Sequence, residues 1–376
     1  MPELPEDALF LIVKELNLLH RREMRSPPPT LLSQYAGVGR TWNAIIERKT
    51  FSHLRVYSPG HQRPITPARF KQLMDRDPAR WDALSTVSFY ASYPIACNSE
   101  RGRSEAGKAV NNAHFSSSVR EFWKVLKTLD AHEGKARDLL FSTLQVPNDN
   151  IFVPGGDAYL HLVGEPLPHL GRCISQTPTS CTDFSAEFGY SYSGFDEMLA
   201  VAPSTADTLC IQLRSLSMCL RHLNLERLPV SPALFWPTTD EHLGDRTAAA
   251  FAPSWPNLET VTVLFAPLDS YHIAPLPERG LQQLMVAAGQ AVHSEMPRLQ
   301  RLYMEHHDVD SDVALSLARH PRCGDPFHLD WHSEPPVPLT EEVLRTWGLE
   351  REGCREDWDK DDPPDWYTLS AVVPWR

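Results

Sequence analysis

Leu220-Arg221-His222-Leu223-Asn224-Leu225 carries the pattern on which the reading of this chain turns. An apolar residue, two spacers, a second apolar residue, one spacer and a third apolar residue recur at Leu84-x-x-Val87-x-Phe89, Ala136-x-x-Leu139-x-Phe141, Ala206-x-x-Leu209-x-Ile211, Leu258-x-x-Val261-x-Val263 and Leu299-x-x-Leu302-x-Met304. The last two positions of each unit lie two apart, which puts them on one face of a β-strand, while the first closes the preceding turn against the core. Leu54 and Val56 read as a further copy.

Helical stretches fall between several of these units. Thr66 opens one, with Pro67 at its first position and Phe70, Leu73 and Met74 on its apolar side; Ser118 to Leu129 and Gly280 to Val292 supply two more. Leu315 to Leu317 is assigned to a shorter helix, and Ser99 to Asn112, poor in apolar residues, to an exposed or mobile loop. Strand following helix in loosely similar units implies a stacked sheet flanked by helices. It is the logic of a leucine-rich-repeat solenoid, in which no unit buries its own face and its neighbours must. The spacing is irregular, so the expectation is a degenerate, leucine-rich-repeat-like α/β solenoid. Ordinary buried α/β strands of similar pattern are the alternative.

With 376 residues and 42% hydrophobic content, the chain can hold a small module and a large body, each with a core. A formal charge of −12 argues against binding to nucleic-acid backbones, which requires clustered lysine and arginine. Neither a membrane-spanning run nor a signal-peptide pattern is present, so a cytoplasmic or nuclear protein is expected, with no membrane partner. The seven cysteines are odd in number and lack a C-x-x-C pair, as expected of buried thiols rather than of a disulfide framework.

The first fifty-odd residues stand apart. Leu4-Pro5-Glu6-Asp7 is a helix start, because proline there loses no backbone bond and the carboxylates meet the positive end of the helix dipole. Leu9, Ile12, Val13 and Leu16 follow at helical spacing. After a basic, proline-rich loop from His20 to Pro29, a second helix starts at Leu31, Leu32, Tyr35 and Val38. Val38, Trp42, Ile45 and Ile46 then form the stripe of a third, running to about Lys49, with Phe51, Leu54 and Val56 in an extended run beyond it. Three helices of this size bury too little area by themselves, so an outside surface must help.

Leucine-proline with acidic residues, aliphatics at Leu9, Ile12 and Leu16, then Val38, three residues, Trp42 and a trailing Phe51 together resemble an F-box. The resemblance implies docking to a Skp-type adaptor and, through it, to a cullin and a RING subunit of a ubiquitin ligase. Leu4, Pro5, Leu9, Ile12, Leu16, Val38 and Trp42 are the adaptor-contact or motif-core positions that it implies. Three features depart from the family: a longer first loop, Gly39 where cysteine is common, and Phe51 where tryptophan is common. Lengthening a loop costs only about 0.6 kcal/mol per doubling. Glycine inside the third helix would cost about 1 kcal/mol relative to alanine. The segments Leu220 to Leu225, Val230 to Pro237 and Trp255 to Glu259 are similar to the C-terminal region of filamentous-fungal F-box proteins, which implies a substrate-receptor body without assigned chemistry.

Candidate chemistry lies elsewhere in the chain. His306-His307-Asp308-Val309-Asp310-Ser311-Asp312 offers imidazoles and carboxylates, and His328-x-Asp330-x-His332 sets three possible ligands on one face of a strand. Turn-capping and solvated roles account for these residues more simply, and no metal is expected. Gly189-Tyr190-Ser191-Tyr192-Ser193-Gly194 fails as a nucleophile elbow because Ser193 stands where glycine is needed, and Gly155-Gly156 reads as a turn. The expected organisation is an F-box-like helical module over 1–57, an irregular α/β domain over 58–349 and an acidic, tryptophan-containing tail over 350–376. The expected function is that of a non-enzymatic, cofactor-free adaptor presenting a client protein to the ligase. A stand-alone binding protein and a metal-dependent hydrolase are the alternatives.

Overall fold

The computed structural model describes residues 9, 11–13, 39–59, 65–94, 104–128, 137–145, 170, 173–174, 177, 181–188, 203–237, 253–266, 278–307, 312–319, 327–334, 336–357 and 366–373. The predicted positions Leu4, Pro5, Leu16 and Val38, the second helix and the Gly155-Gly156 and Gly189 to Gly194 segments lie outside them.

Helix α1 (Arg40–Ser52) leads directly into strand β1 (His53–Tyr57). Helices α2 (Pro67–Met74) and α3 (Pro78–Ala83), β2 (Thr86–Tyr93), α4 (Glu105–Leu126), β3 (Arg137–Gln145) and β4 (Cys181–Phe188) follow. Next come α5 (Pro203–Ser217), β5 (His222–Pro229), β6 (Thr260–Ala266), α6 (Glu278–Glu295) and β7 (Arg301–His307). The chain continues through β8 (Asp312–Arg319), β9 (Phe327–Glu334), α7 (Glu341–Thr346), β10 (Arg355–Asp357) and β11 (Tyr367–Val373).

All strands join one 11-stranded sheet in the order β1-β2-β3-β4-β5-β6-β7-β8-β9-β11-β10. From β1 to β7 each strand pairs in parallel with the next in sequence, and from β7 onward the pairing is antiparallel. Parallel neighbours require a crossover, and crossovers of one hand that always step the same way place their helices on one face of the sheet. The protein is therefore mixed α/β, with one covered face and one without a helix among the described residues.

The two strand positions of the repeat are the two rows of the covered face. Leu54, Val87, Leu139, Phe184, Leu223, Val261 and Leu302 are consecutive register partners, as are Val56, Phe89, Phe141, Ala186, Leu225, Val263 and Met304. The rows continue through Leu317 and Leu315 to Leu329 and Trp331. Where side chains are described in these rows they are buried, and the alternation of period two explains why. Phe122 of α4 stacks on Phe89 with ring centroids 4.2 Å apart. The buried tryptophans donate their indole N–H groups inside the body: Trp331 to the Val337 carbonyl at 3.0 Å, Trp347 to the Met285 carbonyl at 3.1 Å and Trp255 to Ser217 Oγ at 2.7 Å.

Helix starts obey local capping chemistry. Thr66 Oγ1 accepts from the Arg69 amide, Asp77 Oδ1 from Ala79, Ser104 Oγ from Gly107 and Thr340 Oγ1 from Val343. Gly348, at φ 68°, ends α7 in the left-handed conformation that glycine adopts without penalty.

Several expectations are corrected. Ala206-x-x-Leu209-x-Ile211 lies in α5, where Leu209, Leu213 and Leu216 bury one helical stripe, and the strand at this stage of the sheet is β4, with Cys181-x-x-Phe184-x-Ala186 in the same register. Leu315 and Leu317 belong to β8, whose side chains alternate between buried and half-buried. Residues 104–112, expected in a loop, form the first turns of α4 behind the Ser104 cap, with Asn111 buried. Gly39 is the extended residue before α1, not an interior residue, so the helix escapes the penalty expected of it. Phe51 lies in the last turn of α1 and not in an extended run. His53 to Tyr57, grouped in sequence with the N-terminal module, forms the edge strand of the sheet; Tyr367 to Val373, grouped with the tail, pairs beside β9.

Candidate functional site

Two surfaces stand out, one at each level of the fold. The first is built by α1 and the helical residues preceding it. Leu9, Val13, Ile45 and Ile46 form a buried cluster separate from the main core, with Trp42 half-buried against it. Spacing at i and i+4 turns Leu9 and Val13 toward α1, which puts Leu11 on the opposite side of the helix and Ile12 at the margin of the buried stripe. Leu11 is 59% exposed and Ile12 is 37% exposed. Of the expected adaptor-contact residues, Leu9 is thus buried within the module, Trp42 is shared between the cluster and solvent, and Ile12 faces outward. Leu11, which the sequence reading passed over, joins it; its position beside Ile12 opposite Leu9 and Val13 was the available signal.

The module is fastened to the body at the other end of α1. Arg80 of α3 donates through Nη2 to Glu47 Oε1 at 2.7 Å and through Nη1 to the Leu73 carbonyl at 2.8 Å. Its guanidinium also lies 4.4 Å from the centroid of the Phe51 ring, a cation–π distance. Phe51 packs on the main core, so one helix carries both clusters.

The second surface is the open face of the sheet. Its rows are the alternate register positions: Asp183, His222, Thr260 and Arg301 in one, Ser185, Asn224, Thr262 and Tyr303 in the next. Asn224 Nδ2 donates to Ser185 Oγ at 3.1 Å and to Glu226 Oε1 at 2.9 Å. Burial, then a hydrogen bond donated to Glu305 and the nearby carboxylates of Glu305 and Asp312, hold the Tyr303 phenol above its ordinary pKa, against a smaller opposing pull from Arg301.

Asp183, His222 and Thr260 superficially form an acid, base and hydroxyl relay. His222 Nδ1 is 2.7 Å from Thr260 Oγ1, and its Nε2 is 3.6 Å from Asp183 Oδ1. The second distance is longer than a hydrogen bond. Strand backbone N–H groups here are engaged in the ladder, leaving no pair of donors for a developing oxyanion. At these distances the three side chains order a polar surface.

The histidine clusters separate by the same alternation. His306 is buried on the helix-covered side of β7, while Asp312 belongs to the open face of β8; residues 308–311 lie outside the described set. His328, Asp330 and His332 do share the open face of β9, as their spacing requires, and Asp330 accepts the Ser370 hydroxyl at 2.7 Å. Among the described residues no group of three histidine, cysteine or carboxylate side chains converges to hold a metal. Cys173, Cys181 and Cys210 are buried thiols, Cys354 is half-buried and Cys219 is exposed.

No family model matches the chain, and neither a curated protein nor a solved structure is detectably similar to it. Among the described residues no helix is long and apolar enough to cross a membrane.

Proposed function

We propose that the protein is a substrate-recognition adaptor of an SCF-type ubiquitin ligase, acting in the cytoplasm or nucleus. The N-terminal helices dock a Skp-type adaptor, which brings the cullin and RING subunits, and the α/β body, an irregular relative of leucine-rich-repeat solenoids, holds a client protein. Ubiquitin transfer is then promoted by proximity, and the bond-making groups belong to the partners. The observation that carries the reading is the exposed pair Leu11 and Ile12 beside a buried cluster that, among the described residues, contains Leu9, Val13, Ile45 and Ile46. A ridge of this kind on so small a unit marks an interaction surface. The resemblance of Leu4, Pro5, Leu9, Ile12, Leu16, Val38 and Trp42 to the F-box pattern supplies the partner's identity. The strand order from β1 to β7 supports the solenoid part of the reading, since each repeat packs only on its neighbours.

Co-expression with a Skp-type adaptor tests it. The adaptor co-purifies with the full chain, and recovery is lost when Leu4, Pro5 and Ile12 are replaced by alanine. Equal recovery with both versions rejects the proposal and leaves the module a structural cap.

A further inference from the structure

The edge of the sheet formed by β1 is open over part of its length. β1 stands first in the sheet order and has β2 on one side only. In a parallel pair, alternate residues of a strand turn their N–H and C=O groups toward the partner strand, and those between turn them away. Ser58 donates its amide to the Tyr90 carbonyl of β2 at 3.0 Å, whereas Tyr57 donates to the Ile65 carbonyl at 2.8 Å, on the far side. The outward set is therefore His53, Arg55 and Tyr57. The returning chain at Ile65 closes the edge beside Tyr57, and Arg55 is left with its amide and carbonyl facing outward, where neither has a hydrogen-bond partner among the described residues. Its side chain is exposed and makes no ion pair among them either.

Side chains give this edge a sign and a pattern. His53 and Arg55 are exposed on one side of β1, which carries no carboxylate, in a chain whose formal charge is −12; Leu54 and Val56 are buried on the other. Phe51 before the strand and Ile65 beyond it pack half-buried on the same core. The opposite edge, β10, is three residues long and carries charges of both signs, Arg355, Glu356 and Asp357. Short charged edges of that kind discourage an added strand. β1 carries one sign and so selects a strand by charge. A second copy is disfavoured, because a two-fold contact centred on Arg55 sets one guanidinium against another.

We propose that the β1 edge accepts an extended segment of another protein as an added strand, with an acidic side chain beside Arg55 and apolar side chains before and after it. The segment's main chain bonds the Arg55 amide and carbonyl, its carboxylate pairs with the guanidinium, and its apolar neighbours fall on the covered side, next to Leu54 and Val56. The inference stands apart from the adaptor reading, which concerns the helices that precede β1.

The test uses the purified full chain and a fluorescent peptide of about seven residues that alternates glutamate and valine, with a lysine-valine counterpart and a version of the glutamate peptide carrying proline in place of its central valine. Anisotropy should report binding of the glutamate peptide that weakens as salt rises, and none of the lysine peptide. Proline removes a main-chain donor without changing the charge and should weaken binding about tenfold. Arg55→Glu should weaken the glutamate peptide about tenfold and admit the lysine peptide, an exchange of preference that loss of fold does not produce. Hydrogen exchange at the Arg55 amide should be fast in the free chain and slow with bound peptide. Absence of glutamate-peptide binding at low salt overturns the proposal even if the Skp-type adaptor co-purifies; peptide binding without adaptor recovery sustains it and removes the ligase reading alone. Equal binding of the proline version, or binding unmoved by Arg55→Glu, assigns the contact to net charge or to another surface and overturns it. Self-association of the free chain with the Arg55 amide protected assigns the edge to a second copy and overturns it as well.

Discussion

The N-terminal module and the sheet body bury the same kinds of side chain and differ in how many neighbours each side chain finds. In the body, two register rows run from Leu54 and Val56 to Leu329 and Trp331, and their described side chains belong to one core, so the loss of one residue is felt by many neighbours. In the module, Leu9, Val13, Ile45 and Ile46 close on themselves, and Leu11 and Ile12 face outward. Hydrophobic stabilisation grows with the area removed from water, so the large core carries most of the stability, and under the proposed function the module is the part that a docked partner stabilises. A unit of this size attached to a larger one unfolds locally before the whole does.

The largest effect should come from the body. Trp331→Ala removes a fully buried indole and its hydrogen bond to Val337, and should cost about 3–5 kcal/mol in denaturant unfolding. Ile45→Ala should leave the main transition nearly unmoved while amide exchange in α1 accelerates strongly; an equal shift of the main transition by both substitutions breaks the distinction between the two regions. Gly289→Val comes next. A Cβ at Gly289 already meets the Thr346 methyl and the Trp347 indole at 3.0 Å, so overpacking there should cost about 1–3 kcal/mol, read as a lowered midpoint. Arg80→Ala sharpens the comparison at its joint: losing the bond to Glu47, itself partly exposed, should cost about 1 kcal/mol and raise exchange in the C-terminal turns of α1. The smallest effect is a pH dependence. Burial lowers the pKa of His114 below its ordinary 6.5, outweighing the Pro59 carbonyl and Glu121, which pull it upward. The folded state therefore binds fewer protons than the unfolded one, so His114's contribution is complete above about pH 6.5 and declines as pH falls below that value. His114→Gln should flatten this part of a stability-against-pH curve.

The sheet was legible where aliphatic pairs two apart follow a turn, as at Leu223 and Leu225 or Val261 and Val263, because that spacing puts both side chains on one face of a strand. It was not legible at β4, where Ala186 occupies a row position that longer side chains hold elsewhere. Ala206, Leu209 and Ile211 misled because a short apolar triplet also fits a helix, and only Leu213 and Leu216 beyond it reveal the period of 3.6. At the N-terminus the sequence showed an apolar ridge but not its partition. Packing of Leu9 and Val13 on Ile45 and Ile46 decides that Leu11 and Ile12 face outward, and such pairing between helices is not written in either helix by itself. The polar face was legible residue by residue and not as a surface, since Asp183, His222 and Thr260 lie far apart in sequence and meet only through strand register.

Hydrogen exchange of the full chain with and without a Skp-type adaptor measures the central claim most directly. The account predicts that amides around residues 9–13 and in the first turns of α1 slow markedly in the complex, while those of β2 and β5 to β9 do not change. Unaltered exchange around residues 9–13 at saturating adaptor, or protection confined to the sheet, would contradict it.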